Sequence, residues 1–479
     1  MATSNQLGSV EHVVVLVLEN RSFDHMLGFL YADSNVSPLT QQPFEGLTGQ
    51  ESNPDATGTP VPVSALTQET PNLYSTPGAN PGEGFLPTNM QLFGTAKPAA
   101  GTVATNNGFV TDFAATLKGI DAHRKIIAGT TASDIMQIFT PGLLPVLSGL
   151  ARGFAVCDQW FSSVPTETMP NRAFLCAATS QGRMDDKAPI KYSCQSIFGL
   201  LSANQLDWSM YGCNDPPMAR LNYPDTMNAP ETHFGVFEDF QAAAAAGNLG
   251  AYTFLEPSWG SSGNSQHPNF DVSLGEQLIH DVYYALCNGP AWNQTLLVVT
   301  YDEHGGCYDH VAPPTGAVPP DTSPDTKFGF DFTRFGVRVP AVLVSPLIAP
   351  GTVFRPSGTV PLDHTSILKT VETRWGLPAL TARDAAAPDV GDVLTLAQPR
   401  TDDPLAGVTV PSSTTPNPVA GTPSHLQQVM AQLVSELPTG DTVQETPAAL
   451  GALKTEQDYH DYIRSRYAAW TTQRANGPS

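Results

Sequence analysis

The heptapeptide HVVVLVL at residues 12–18, running straight into Glu19-Asn20-Arg21, decides the fold. It is a continuous apolar run rich in β-branched side chains, which reads as a strand buried on both faces and hence as part of a parallel sheet with helices on either side. A second run of the same kind, TLLVVT at residues 295–300, ends in Tyr301-Asp302-Glu303-His304-Gly305-Gly306. Both strands therefore deliver carboxylates at their carboxyl ends. Ligands bind outside those ends in open α/β sheets, so two segments remote in the chain are expected to meet in one site.

Further elements follow outward from these strands. Residues 143–150 fit a helix leading to a short strand at 154–157. Residues 272–286 carry apolar side chains at helical spacing and feed the second strand through Asn288-Gly289-Pro290. VRVPAVLVS at 337–345 reads as another strand, with Pro340 marking an edge or a bulge. Residues 366–375 form a helix candidate behind Asp363-His364. Residues 34–108 are rich in Pro, Gly, Ser, Thr and Asn and read as a long excursion over the sheet, of the kind that serves as a lid or binding surface. Its Phe44, Leu47, Tyr74, Phe85, Leu86, Leu92 and Phe93 are candidates for an apolar lip. A catalytic domain over 1–405, a linker over 406–424 and a helical extension over 425–479 are expected, with helical patterns at 425–436 and 453–472. In the latter, Tyr459, Tyr462, Ile463 and Tyr467 form a core-facing stripe.

The chain has 479 residues, 45 of them acidic and 23 basic, for a formal charge of −22. That excess argues against a nucleic-acid partner and against electrostatic docking to an anionic bilayer, leaving at most transient contact with a membrane surface. With 41% hydrophobic and only 14% charged residues, the chain can bury a large core. No apolar run reaches the ~18 residues of a transmembrane helix. Residues 1–10 carry no visible secretory signal, so a cytoplasmic location and a secreted one with the signal removed both stay open. The six cysteines are scattered and read as buried thiols; Cys194 and Cys213 are the first candidates if a disulfide exists.

The chemistry concentrates on Glu19-Asn20 and Asp302-Glu303. Carboxylates grouped in a low-dielectric interior repel one another, so a counter-cation is physically demanded. Oxygen donors favour a hard divalent ion, Ca²⁺, Mg²⁺ or Mn²⁺, over a thiolate-type site, while still admitting Zn²⁺. Either segment alone also fits simple helix capping. A third segment, SSVPTETMPNR at 162–172, sets hydroxyls beside an arginine. A hydroxyl on a metal loses its proton more readily and becomes a nucleophile; Arg172 can grip a tetrahedral anion bidentately.

These segments carry a resemblance. ENRSFDHMLG at 19–28, SSVPTETMPNR at 162–172, TYDEHGGCYDHVAPP at 300–314, GVRVPAVLVSP at 336–346 and DHTS at 363–366 together resemble the phosphoesterase family of bacterial phospholipases C, acid phosphatases and plant non-specific phospholipases C. The resemblance implies an alkaline phosphatase-like α/β fold: a large, mainly parallel central sheet with helices on both faces and the metal at its carboxyl edge. It implies that Glu19, Asn20, Asp302 and Glu303, with the Thr168 hydroxyl, hold the metal, and that Thr168 is the nucleophile. Thr166 stands close by, and the choice of Thr168 rests on its spacing to Pro170-Asn171-Arg172. Cys307 takes a position that is often aromatic in such enzymes.

His267 matches a histidine block of that family and is the first candidate for phosphate ligand or general acid, with His304 second. His310 and His364 are weaker, each able to tie loops together; His12, His25, His280, His425 and His460 read as structural, and His123 and His233 are unassigned. The expected reaction is attack by Thr168 on phosphorus and hydrolysis of a phosphothreonine, with Arg172 on the equatorial oxygens and His267 or His304 protonating the leaving group. The substrate expected is a phosphatidylcholine-like phospholipid, with a small phosphomonoester, as for an acid phosphatase, the alternative. A non-catalytic member binding a partner through its C-terminal helices is a third reading.

Overall fold

Strand β1, His12–Leu18, is buried at every position after His12, as a strand covered on both faces must be. A computed structural model describes it as the centre of an eight-stranded sheet and covers residues 5–33, 35–119, 125–187, 190–439 and 447–475. The other strands are β2 (Ala155–Val156), β3 (Trp208–Gly212), β4 (Phe234–Val236), β5 (Tyr252–Leu255), β6 (Thr295–Tyr301), β7 (Ala341–Val344) and β8 (Thr352–Val353). Their spatial order is β8-β2-β7-β6-β1-β5-β3-β4. β1 pairs in parallel with β5 and β6, β5 with β3, and β3 with β4. Strand β7 alone is reversed, antiparallel to both β6 and β2. The expected architecture, a large mainly parallel sheet with helices packed on it, is the one observed.

Strand β7 is shorter than the apolar pattern at 337–345, and it begins one residue after Pro340. Both of its edges are paired, and a proline inside it would remove a ladder hydrogen bond. Pro340 keeps its carbonyl in use: Thr300 Oγ1 donates to it at 2.9 Å.

The helices that matter for the site are α1 (Phe23–Leu27), α2 (Phe85–Phe93), α3 (Pro145–Gly153), α4 (Thr168–Ala177), α5 (Val272–Cys287) and α6 (Thr365–Trp375). Helix α3 has Pro145 in its first turn and no cap of its own. Glu276 of α5 supplies one, accepting from Val146 N at 2.7 Å and Leu147 N at 3.0 Å. Its carboxyl is pushed up to about 7 by burial, which those two hydrogen bonds partly oppose.

The C-terminal region carries α7 (His425–Ser435) and α8 (Glu456–Ala475). Leu426, Val429, Met430, Leu433 and Val434 of α7, with Ile463 and Trp470 of α8, belong to the same buried cluster as the sheet core. The Arg220 guanidinium lies over the Tyr467 and Trp470 rings at 5.1 and 4.5 Å, so the stripe expected on α8 does face protein. Val419, in the segment expected as a linker, is buried against Ile127 and Phe270.

Two smaller expectations change. All six cysteines are free thiols, Cys194 and Cys213 included. The apolar side chains of the excursion fold inward: Leu47, Tyr74 and Leu92 are buried, and Phe85 stacks on Phe328 at 5.1 Å. They find protein partners within reach and make no lip for lipid. No helix among the described residues is long and apolar enough to cross a membrane. His123 lies outside the described residues.

Replacing Glu276 by alanine orphans two buried amide groups at the start of α3. We expect Glu276→Ala to lower unfolding free energy by about 1–3 kcal/mol, measured by denaturant titration, whereas a surface carboxylate such as Glu69 replaced by alanine should cost almost nothing.

Candidate functional site

Leu18 of β1 stands opposite Tyr301 of β6, so Glu19 and Asp302 leave adjacent strand ends at the same level. Asn20 adopts a left-handed backbone conformation with φ of 55°, which asparagine tolerates better than most residues. That turn aims its N–H at Asp302 Oδ1, 3.1 Å away. Its side chain then links two further segments, donating from Nδ2 to Glu83 Oε2 at 2.8 Å and accepting at Oδ1 from Thr168 Oγ1 at 3.1 Å. Gly305 closes over this turn with φ of 62°; a Cβ there would stand 2.1 Å from the Asn20 carbonyl oxygen, so only glycine fits.

Thr168 is the first residue of α4 and lines a cavity of about 310 Å³ together with Glu19, Asn20, Glu83, Glu167 and His267. One turn later, Asn171 braces the loop before the helix, accepting from Val164 N at 3.0 Å and donating to the Thr166 carbonyl at 2.9 Å. The Thr166 hydroxyl is spent elsewhere, on the Met184 carbonyl at 2.9 Å, and does not line the cavity. Of the two threonines, Thr168 is the one placed to meet a ligand.

The electrostatics suit a bound cation. Burial pushes the Glu19 carboxyl up to about 7, with the charge of Asp302 adding to the rise. Burial, then Glu83 and Asp302, hold Glu303 well above the carboxylate range. Asp302 is raised as well, burial outweighing Arg172. Glu19 Oε2 and Glu303 Oε1 are buried without a hydrogen-bond partner, a costly state for a carboxylate oxygen unless something neutralises it. Orphaned carboxylate oxygens, with an amide oxygen and a hydroxyl on Asn20 and Thr168, are the donor types that suit a hard divalent ion. Sequence analysis placed the ligands on these residues; the donor chemistry found there is compatible with that role.

A tighter cluster lies elsewhere. Among the described residues, Asp24, Asp309 and His310 bring ligand atoms within 4.8 Å of one another. The Arg338 guanidinium already sits between the two carboxylates, at 2.8 Å from Asp24 Oδ1 and 3.0 Å from Asp309 Oδ1, while His310 Nδ1 is 2.6 Å from Asp24 Oδ2. This group is an internal ion-pair network tying α1 to the segment after the DEHGG block. It accounts for His310 as a tie, made through Asp24.

Two of the expected catalytic groups are turned to other work. Arg172 does not grip the cavity. Its Nε donates to Asp302 Oδ2 at 2.8 Å, its Nη2 to the Val17 carbonyl at 3.2 Å, and its plane packs on Trp259 at 4.5 Å. A guanidinium reaching the carboxyl ends of two buried strands finds their carbonyls and carboxylate first, and so becomes a positioning residue for Asp302. His304 is likewise enclosed, between Glu303 Oε2 at 3.2 Å and Gln91 Oε1 at 2.7 Å, and burial drives its pKa down to about 3. It is neutral and has no path to a leaving group. His364 reaches the Asp302 carbonyl through Nε2 at 2.6 Å and is held down to about 4, chiefly by burial.

His267 does line the cavity. Its Nδ1 lies 3.0 Å from the Pro268 carbonyl and its Nε2 3.7 Å from Glu83 Oε2. Burial acts to lower its pKa, but the facing carboxylates of Glu83 and Glu19 win, and the net shift is upward. Arg21 fixes the loop that presents it, donating from Nε to the Gln266 carbonyl at 2.6 Å and from Nη2 to the His267 carbonyl at 3.1 Å.

Glu83, Glu167, Asp186 and Gln91 escaped the sequence reading. Glu167 lay within a segment already singled out, beside the chosen threonine; its carboxyl is raised to about 7 by burial, with Glu83 and Asp185 contributing. Glu83 and Gln91 sit in the excursion, whose composition gives no pattern to read.

The model of the phosphoesterase family matches residues 10–378. Non-specific phospholipase C6 of Arabidopsis thaliana is 35% identical over 95% of this chain and 86% of its own length. Non-specific phospholipase C3 of the same plant is 36% identical over 83% of this chain and 75% of its own. Phospholipase C A of Mycobacterium tuberculosis is 28% identical over 89% and 84%. Among solved structures, a protein in the alkaline phosphatase superfamily from Vibrio parahaemolyticus aligns with 51% of this chain and 64% of its own, at 14% identity and a TM-score of 0.32.

If Arg338 neutralises Asp24 and Asp309, Arg338→Met should strand two buried carboxylates and cost about 3–5 kcal/mol of stability, read by denaturant titration. A metal at that cluster instead would make the same substitution mild in metal-replete buffer and severe only after chelation.

Proposed function

The chain belongs to the phosphoesterase family, and from that premise we propose that it is a phospholipase C, cleaving the glycerol–phosphate bond of phosphatidylcholine-like lipids. As a phosphoric ester hydrolase it needs a nucleophile, a source of positive charge and a proton donor. The observation that supports this reading most directly is the Thr168 hydroxyl, held by Asn20 Oδ1 at 3.1 Å, in a cavity beside the orphaned oxygen of Glu19.

A divalent cation held by Glu19, Asn20, Asp302, Glu303 and the Thr168 hydroxyl would neutralise the carboxylates and make that hydroxyl more acidic. The chain's own residues do the rest. Asn20 orients Thr168 Oγ1; with its proton released to solvent water, that oxygen attacks phosphorus in line as the bond to the glycerol oxygen breaks, and it leaves again as the alkoxide when the phosphothreonine is hydrolysed. Arg172 holds the Asp302 carboxyl in its orientation through the Nε hydrogen bond at 2.8 Å. His267, kept protonated by Glu83 and Glu19, gives a proton to the departing glycerol oxygen. Water then hydrolyses the phosphothreonine, and His267 takes the water's proton, returning to its starting state. Donors for the equatorial oxygens must come from the cavity wall or the cation, since Arg172 is committed.

Thr168→Ala should cut kcat on phosphatidylcholine in mixed micelles by about 10³-fold or more without lowering the melting temperature. Turnover confined to p-nitrophenyl phosphate in the wild type would turn the reading toward the monoesterase. Chelation should abolish activity, with recovery on adding a divalent ion.

The pH dependence has a definite sign. A proton donor is lost as pH rises through its pKa, and that of His267 lies above the usual histidine value. Glu83→Gln removes the negative charge that faces His267, so the alkaline limb of the kcat profile should move to lower pH. An unmoved limb would remove His267 from the role.

A further inference from the structure

The family model ends at residue 378, yet part of the wall of the cavity comes from further along the chain. Val419, Thr422, Ser424, His425, Leu426 and Gln428 line the same space as Glu19, Thr168 and His267. Sequence composition had made residues 406–424 a linker and the following helices an appendage. We propose that residues 419–428 form the head-group wall of the active site, selecting the phosphorylated head group that stays with Thr168 once glycerol has left. The proposal rests on the phosphoesterase reading and adds to it the part of the chain that sets specificity.

Three observations carry it. The wall is built in, since Val419 closes a buried apolar contact with Ile127 and with Phe270, three residues beyond His267. Ser424 caps α7 by accepting from Gln427 N at 3.0 Å, which fixes where that helix begins relative to the cavity.

The wall is also fastened. Glu456, at the start of α8, accepts from Ser261 Oγ at 3.1 Å, Ser262 Oγ at 2.8 Å, Ser262 N at 3.1 Å and Gly421 N at 3.1 Å, and its own N–H donates to the Gly421 carbonyl at 3.1 Å. One carboxylate thus staples the wall to the loop after β5. A Cβ on Gly260 would come 1.9 Å from Glu456 Oε1, so the loop leaves room for the carboxylate only because that residue is glycine. The same loop packs Trp259 on Arg172, offers the Ser265 carbonyl to Glu19 N at 2.8 Å and carries His267. The staple is therefore joined directly to the catalytic side of the cavity.

The lining, finally, is right for a head group and wrong for acyl chains. About 310 Å³ is at the small end of ligand cavities, and most of its side chains are polar or charged, Lys125, Lys187 and Lys327 among them, with Phe270, Val419 and Leu426 as apolar members. A phosphate ester of a small polar alcohol fits such a space, with the lipid tails left outside. Glu456 is a positioning residue in this account, whereas Thr422, Ser424 and Gln428 meet the head group.

The test uses two inhibitors of p-nitrophenyl phosphate hydrolysis, phosphocholine and inorganic phosphate, which share the phosphoryl group and differ only in the head group. Wild type should bind phosphocholine more tightly. Glu456→Ala should raise the Ki of phosphocholine about ten-fold while that of phosphate moves by less than about two-fold. Gln428→Trp, which fills the cavity and leaves the staple alone, should raise the ratio of the two constants by a similar factor. An equal loss for both inhibitors in Glu456→Ala, or an unchanged ratio in both variants, overturns the wall. Failure of the phospholipase reading looks different: the wild type would not cleave phosphatidylcholine, yet would still prefer phosphocholine over phosphate and lose that preference in the variants.

Discussion

Everything at the site depends on the in-register pairing of β1 with β6. Seven consecutive residue pairs, from His12 with Thr295 to Leu18 with Tyr301, bring the ends of two buried strands level. The residues that follow are acidic, and the pairing forces their carboxylates together in a place from which water is excluded. All three are raised in pKa, by burial first, with the charge of Asp302 adding to the rise of Glu19 and Glu303. A one-residue slip would send every side chain of a strand to the opposite face and scatter the group. The same side chains that hold the sheet together thereby hold the charges in their unfavourable assembly.

Around this core the positive charges are deployed as braces. Arg172 lies behind Asp302, Arg338 between Asp24 and Asp309, and Arg21 under the carbonyls of Gln266 and His267. Each guanidinium satisfies several oxygens at once in a fixed geometry, which a lysine could not do. The cavity wall itself carries Glu19, Glu83, Glu167, Asp185 and Asp186, with Lys125, Lys187 and Lys327 as its cations, and the carboxylates outnumber them. That is the electrostatic state in which a divalent cation binds most strongly.

The strands and the metal-ligand candidates were legible because their signals are local: unbroken β-branched runs, and carboxylates directly after them. Orientation was not legible. Arg172 and His304 have the right chemistry one or two residues from the right place, but what each touches is set by groups that arrive from residues 17–18, 91 and 303. Glu83 could not be singled out from a stretch without periodicity, although Asn20 finds it at 2.8 Å. Residues 406–424 were read as a linker because Pro, Ser and Thr make up most of them; such residues also build well-ordered loops when, as at Thr422 and Asn417, each finds a backbone or serine partner.

The position of β1 has a consequence for how this protein is made. Of the strands of this sheet the first in chain order occupies its middle, and the partners on its two sides are residues 252–255 and 295–301. At a synthesis rate of about 5–20 residues per second, HVVVLVL waits about 10–60 s before both neighbours exist. Throughout that interval it is a fully apolar segment with two open edges, the form most prone to pair with another nascent chain. Production of this enzyme should therefore lean on chaperones that shield early segments, and slower translation will help only where it falls after residue 301.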